Sequence, residues 1–193
     1  YAGSFDHHLV EVLNYRTPQL LVDLLQRVAT PAPSVVADLG CGTGLCGPLL
    51  RPLATRLVGV DLSDGMLERA RQAGHYDELV CSELVAWLAW AAPGFDIAVA
   101  ADVLIYLGPL DKVFAGIARL LQPGGWFVFS VEAGGGDGYA LQLNRRFAHS
   151  LPYVGAQAAS HGLAVVAVEP AVLREDGDKP VDGLLVVLRR AVG

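Results

Sequence analysis

Three glycines at alternate positions, Gly40-Cys41-Gly42-Thr43-Gly44, follow directly on the apolar run Ser34-Val35-Val36-Ala37-Asp38-Leu39. Glycine at this spacing lets the backbone turn tightly and approach a ligand with no Cβ in the way. A helix is expected from about Leu45, its N-terminal N–H groups aimed back at the same spot. Pro48 falls in its first turn, where a missing N–H is tolerated. A glycine turn joining a strand to a helix belongs at the carboxyl edge of a parallel sheet, where such sheets open a ligand crevice.

The rest of the chain supplies that sheet. Leu9–Leu13 and Pro18–Ala29 read as two helices, with Thr17 as N-cap and Pro18 at the first helical position of the second. Strands are expected at Ser34–Leu39, Arg56–Asp61, Glu78–Cys81, Phe95–Ala101 and Trp126–Val131. Helices separate them at Ser63–Ala73, Glu83 to about Trp90 and Pro109–Leu121, the last stopped by Pro123-Gly124-Gly125. The glycine-rich stretch Ala133–Gly138 reads as a loop, and Pro152–His161 as a further helix. Two final strands, Leu163–Val172 and Val181–Arg189, flank a polar turn over Glu175–Lys179. Parallel neighbours need a crossover of a dozen or more residues, so this last pair is expected to be antiparallel. The fold class is therefore α/β, a Rossmann-like, mostly parallel seven-stranded sheet with helices on both faces and a C-terminal antiparallel hairpin.

With 193 residues, 53% hydrophobic and 18% charged, one folded domain is expected over 1–193, with N-terminal helices in 1–30 and the core in 34–193. No apolar run reaches the ~20 residues needed to span a bilayer, and no signal-peptide pattern stands at the start, so a cytoplasmic location without membrane contact is the expectation. The chain opens on Tyr1 and its only methionine is Met66, which reads as a fragment of a longer chain. The net charge of −6 makes nucleic acid a poor partner. Of two basic pairs, Arg145-Arg146 and Arg189-Arg190, the first could touch an anionic substrate, although a solvated loop is the plainer reading. Cys41, Cys46 and Cys81 are odd in number and form no CxxC, which argues against a disulfide framework or a metal site. His7-His8 reads as surface, and Trp87 with Trp90 as packing on one helix face.

Two cofactors compete for the glycine loop. Gly42-Thr43-Gly44-Leu45-Cys46-Gly47 matches the dinucleotide pattern G-x-G-x-x-G. Asp38, two residues before Gly40, would oppose a pyrophosphate but suits a cationic amine, which favours S-adenosylmethionine (SAM) over NAD. Asp61 ends the second strand about 20 residues after the loop, where an acid can accept from both hydroxyls of an adenosine ribose. Glu83 follows the third strand; it could accept from the adenine amino group or cap its own helix.

With these residues in hand, the chain resembles the class I SAM-dependent methyltransferases. The matching pieces are Val36–Gly44, Gly59-Val60-Asp61-Leu62-Ser63, Met66-Leu67, Phe95–Ala100 and Leu121-Gln122-Pro123-Gly124-Gly125. A narrower likeness, to predicted methyltransferases that follow tetratricopeptide repeats, rests on Tyr15-Arg16-Thr17-Pro18, Gly47–Arg51, Ala101–Leu107 and Arg146–Ser150. It implies a repeat region ahead of Tyr1 in the full-length chain. The family likeness implies the strand order 3-2-1-4-5-7-6. It places Asp38, Gly40, Gly42 and Gly44 at the methionine part of SAM, with Cys41 of the same loop also binding the cofactor, Asp61 at the ribose, Leu62 and Met66 at the adenine with Glu83 replacing a common Asp, and Asp102 and Tyr106 near the methyl group. Tyr15 could close over the cofactor or pack in the core.

A sulfonium methyl is already a good electrophile, so alignment and water exclusion carry much of such a transfer. Where a base is needed, His149 is the first candidate, because it lies in the segment joining strand five to the next helix and an unperturbed imidazole has a pKa near neutrality; the plainer reading is that it caps the following helix or fixes that loop. Asp102 and Tyr106 are the other catalytic candidates. The expected activity is methyl transfer to a small-molecule or protein acceptor, leaving S-adenosylhomocysteine (SAH). A non-catalytic SAM-binding module and an NAD-dependent oxidoreductase are the alternatives.

Overall fold

A computed structural model of the chain describes residues 15–30 and 32–193; the helix expected at Leu9–Leu13 and the pair His7-His8 lie outside them. The first helix, α1, spans Thr17–Val28 and buries Leu21, Val22, Leu24 and Leu25 on one face. Thr17 does not cap it. Arg16 holds the N-cap position, and the fully buried Thr17 donates its hydroxyl to the Leu173 carbonyl at 2.9 Å instead. A hydroxyl sealed from water needs a partner, and the carbonyl across the interface supplies it.

Strand β1 (Ser34–Leu39) enters the glycine turn, and the expected helix shrinks to one turn, α2 (Gly47–Leu50), running into a 3-10 turn at Arg51–Leu53. Pro52, with no N–H to donate, ends it. Next come β2 (Ala54–Asp61), α3 (Asp64–Ala73), β3 (Glu78–Cys81), α4 (Leu84–Trp90), β4 (Phe95–Ala100) and a 3-10 turn at Leu104–Tyr106. Ser63 caps α3 by accepting from the Met66 N–H, and Gly74 at φ +76° closes it. The second half holds α5 (Asp111–Leu120), β5 (Leu121–Ala133), β6 (Tyr139–Leu141), β7 (Phe147–His149), α6 (Leu151–Ser160), β8 (Leu163–Asp176) and β9 (Lys179–Arg190).

The strands β3, β2, β1, β4 and β5 lie side by side and parallel. β9 adds antiparallel to β5, and β8 antiparallel to β9. With β9 and β8 as seventh and sixth strands, this is the order the resemblance implies. The last hairpin is longer than expected, closing through Gly177-Asp178 with Gly177 at φ +63°. β5 also starts earlier, since Pro123-Gly124-Gly125 lies within it beside a register shift against β4.

The segment after β5 is not simply a loop. β6 and β7 form a short antiparallel hairpin, and β7 pairs parallel with Glu132 and Ala133 of β5. Glu132 also pairs with Gly183 of β9. A strand has two edges, so β7 takes the edge that β4 leaves after Ala100 pairs with Phe129. The hairpin therefore extends the sheet past the end of β4, on the side where the crevice opens.

Side chains alternate between two cores, as strands buried on both faces require. Ala37, Leu39, Ala98, Ala100, Phe127 and Phe129 face α4, α5 and α6, whereas Val36, Ile97, Val99 and Val128 face α1 and α2. Phe114 of α5 meets Phe127 and Phe129 edge-on at 6.1 and 5.8 Å, contacts worth about 0.5–1.5 kcal/mol each beyond burial.

Candidate functional site

The glycine turn takes the left-handed backbone its residues permit: φ is +65° at Gly40, +54° at Gly42 and +93° at Gly44. A Cβ on Gly40 would stand 2.4 Å from a Val103 methyl, one on Gly44 would press on Tyr76 and Ala70, and one on Gly42 would meet nothing within 4 Å. Two of these glycines are therefore packing requirements, while Gly42 faces open space. Asp61 fixes the turn from β2: Oδ2 accepts the Gly42 N–H and Oδ1 the Ser63 N–H, both at 2.9 Å.

A cavity of about 570 Å³ opens here, at the carboxyl ends of β1 to β4, within the range of small-ligand sites. It straddles the point between β1 and β4 where the chain's winding reverses, the general position for ligands in such sheets. Its floor is Gly40, Cys41, Gly42 and Thr43. On the β2–β3 side stand Asp61, Leu62, Met66, Ser82 and Glu83, with Leu62 70% exposed. On the β4–β5 side stand Tyr15, Asp102, Tyr106, Arg146 and Arg174.

Not every expected residue reaches it. Asp38 is 1% exposed, lies outside the lining and accepts the Tyr76 hydroxyl at 2.6 Å. Burial pushes its carboxyl up to about 7, against the pull of the Tyr76 bond. Gly44 is also outside the lining. Glu83 lines the cavity, yet it is the N-cap of α4, accepting from Val85 and Ala86 N–H at 2.9 and 2.8 Å. Burial, with Asp38 and Asp61 nearby, pushes the Cys41 thiol well up, so it holds its proton.

His149 departs furthest from expectation. It is fully buried and absent from the lining. Its Nε2 bonds the Gly108 carbonyl at 2.9 Å, and its ring lies between Tyr139 and Tyr153, each 6.1 Å away. Burial lowers its pKa. The short β7 turns this side chain into the hairpin's own core, where it fixes the segment and cannot reach a ligand in the cavity.

Asp102 is the reverse case. It sits at φ +53°, a left-handed conformation rare outside glycine. Its N–H donates to Ser130 Oγ at 2.8 Å, and the Ser130 hydroxyl returns a bond to Oδ1 at 3.1 Å. Arg174 Nη1 lies 3.5 Å from Oδ1. Burial raises its pKa, and Arg174 and Ser130 pull it back. Oδ2 is buried with no hydrogen-bond partner. Tyr15, half-buried beside it, has its phenol pushed well up by burial and then by Asp102. Tyr106 is 65% exposed at the rim.

Arg174, Glu132 and Ser82 were not foreseen. Arg174 lies past the expected end of its strand, and only the tertiary structure brings it against Glu132 and Asp102. Arg146 had a signal in the Arg145-Arg146 pair; it lines the cavity and its neighbour does not. Among the described residues no helix is long and apolar enough to cross a membrane.

Residues 37–129, from β1 into β5, match the methyltransferase domain family. The chain is similar to the trans-aconitate 2-methyltransferase of Acidovorax sp. (strain JS42), 37% identical over 106 residues that cover 54% of this chain and 40% of that protein. It thus spans well under half the length of that relative. Among solved structures it is similar to a SAM-dependent methyltransferase from Mesorhizobium loti, with a TM-score of 0.65 and 23% identity over 87% of this chain and 96% of that one. It is also similar to the N-methyltransferase NodS from Bradyrhizobium japonicum WM9 in complex with SAH, with a TM-score of 0.69 and 21% identity over 89% and 86%. The fold is the Rossmann-like class I methyltransferase fold.

Proposed function

We propose that the chain binds SAM in this cavity and transfers its methyl group to a small-molecule acceptor. The observation that carries the reading is the cavity itself, with the glycine turn, Asp61, Leu62 and Met66 meeting at the switch point of a class I methyltransferase fold. The residues fit the cofactor. The exposed face of Leu62 offers an apolar surface to a purine, and Asp61, oriented by two backbone N–H groups, keeps lone pairs for ribose hydroxyls. The unpartnered Oδ2 of Asp102 suits the ammonium of the methionine part. Asp38 acts at one remove, holding Tyr76 against Gly44 and so shaping the turn. Glu83 spends its carboxylate on α4 and positions that wall.

Bound SAM would supply an electrophilic methyl group. The chain's own work is to hold the acceptor in line, with Tyr15, Tyr106 and Leu107 screening water at the β4 side. His149 has no path to the acceptor, so an acceptor that is already nucleophilic fits better than one needing a strong base. The narrower likeness to repeat-linked methyltransferases draws support from its segments, which contribute Tyr15, Pro18, Asp102, Tyr106 and Arg146 to the wall. A cytoplasmic location suits the exposed free thiol of Cys81.

Calorimetric titration with SAM, SAH and NADH in parallel tests the reading. Micromolar binding of the first two and none of NADH is expected. Binding of NADH alone would overturn it in favour of a dehydrogenase, and SAM binding without transfer from labelled SAM to any acceptor would leave a binding module.

A further inference from the structure

The β4–β5 side of the cavity carries two arginines from separate parts of the chain, Arg146 before β7 and Arg174 on β8. Arg174 is 93% buried, with a side chain 7% exposed. Its Nη2 pairs with Glu132, and its Nη1 lies 3.5 Å from Asp102 Oδ1. Nη1 and Nε are nevertheless buried without a hydrogen-bond acceptor. Arg146 Nη1 is in the same condition, its nearest acid being the exposed Asp176 at 4.0 Å. Glu132 also accepts from Gln142 of the β6–β7 connection, so both of its oxygens are engaged. Buried guanidinium donors without acceptors are uncommon and costly, and here three line or adjoin one cavity wall.

Resting on the function proposed above, we infer that this wall holds a carboxylate of the methyl acceptor between Arg146 and Arg174. Guanidinium forks match a carboxylate with two parallel N–H bonds, which an ammonium group cannot do. The charge balance sets the class. Two arginines face Glu132 and Asp102, and Asp102 is shared with the ammonium of bound SAM, so the wall has room for one further negative charge and suits a singly charged carboxylate better than a doubly charged phosphate ester. Position separates this group from the adenosine end, since Asp61, Leu62 and Glu83 stand on the β2–β3 side and both arginines on the other, across the glycine turn. A charged anchor there also supplies orientation for in-line attack without a base.

The test is calorimetric titration of the full chain, with and without saturating SAH, using glutarate, benzoate and citrate, each against its neutral amide, and inorganic phosphate. The acids are expected to bind and the amides not. Arg146→Gln is expected to weaken acid binding by roughly tenfold or more and to leave SAH affinity within about twofold. Arg174→Ala strands Glu132 and risks the fold, so Arg174→Lys serves as the second variant; it keeps the charge but loses the fork, and is expected to weaken acid binding while its melting temperature stays near the parent's. Equal binding of acids and amides, no binding of any acid, or tighter binding of phosphate overturns the inference. A loss of SAH affinity in Arg146→Gln equal to the loss for acids also overturns it, assigning the arginines to the cofactor's own carboxylate. Failure of SAH to bind the parent is read separately, as failure of the proposed function, because the acids are also titrated without it.

Discussion

Gly40 and Gly42 look interchangeable as letters, and the structure separates them. Both lie in the left-handed region, at φ +65° and +54°, where a side chain costs about 1–2 kcal/mol. Gly42→Ala adds nothing further, since its Cβ meets no atom within 4 Å. Gly40→Ala drives a methyl to 2.4 and 2.9 Å from the two Val103 γ carbons. Valine is stiff at χ1 and Val103 follows the strained Asp102, so relief is limited and overpacking adds about 1–3 kcal/mol. The expected losses are therefore about 2–5 kcal/mol for Gly40→Ala and about 1–2 kcal/mol for Gly42→Ala. For a chain of this length, 1 kcal/mol moves the melting temperature by about 2–4 °C, so ligand-free melts should fall on the order of 10 °C in the first variant and a few degrees in the second. Titration with SAH then reverses the ranking of interest. The folded Gly42→Ala protein carries its methyl into the cavity and should bind SAH at least roughly tenfold more weakly, about 1.4 kcal/mol. Equal melting temperatures, or parent-like SAH affinity in Gly42→Ala, would refute the assignment of one glycine to packing and the other to the ligand.

Asp61→Ala should weaken SAH binding by about 1–3 kcal/mol, the scale for losing a charged hydrogen-bond partner; unchanged affinity by calorimetry removes Asp61 from the ribose role. Asp38 gives a pH signature. Its folded pKa, about 7, lies above the ordinary carboxylate value, so its contribution to stability is complete below about pH 4 and is lost as pH rises through 7. Urea unfolding of the parent and of Asp38→Asn at pH 5, 6 and 7 should show the parent losing ground to the variant by up to about 1.4 kcal/mol per unit; a difference that stays level or grows in the parent's favour contradicts the buried-acid account.

Legibility in the sequence followed how local each cause is. The glycine turn and Asp61 at the end of β2 are legible because backbone geometry within a few residues demands them. The spacing of Asp38 to Gly40 points it at a ligand, but its partner is Tyr76, 38 positions away, and nothing near Asp38 announces that. Glu83 illustrates two roles sharing one position, with the local one, the cap, visible in its hydrogen bonds. The β6–β7 hairpin escaped because three-residue strands carry too little alternation, and because its pairing depends on β4 ending early beside β5. That error displaced His149, which a loop would expose and a strand buries. Arg174 was invisible for a similar reason: its neighbours Glu132 and Asp102 come from two other strands' ends.

The attachment of β7 to β5 through only two residue pairs divides the molecule into a chassis and an attachment. Residues 40–83 build the β2–β3 side of the cavity and its glycine floor, and the segment 139–149, clipped onto the tip of the sheet, carries Arg146 to the opposite side. In the proposed function the adenosine end of the cofactor and one of the two arginines meet from separate stretches of chain, and between them stands Glu132, which belongs to the sheet by its backbone and to the arginine wall by its side chain.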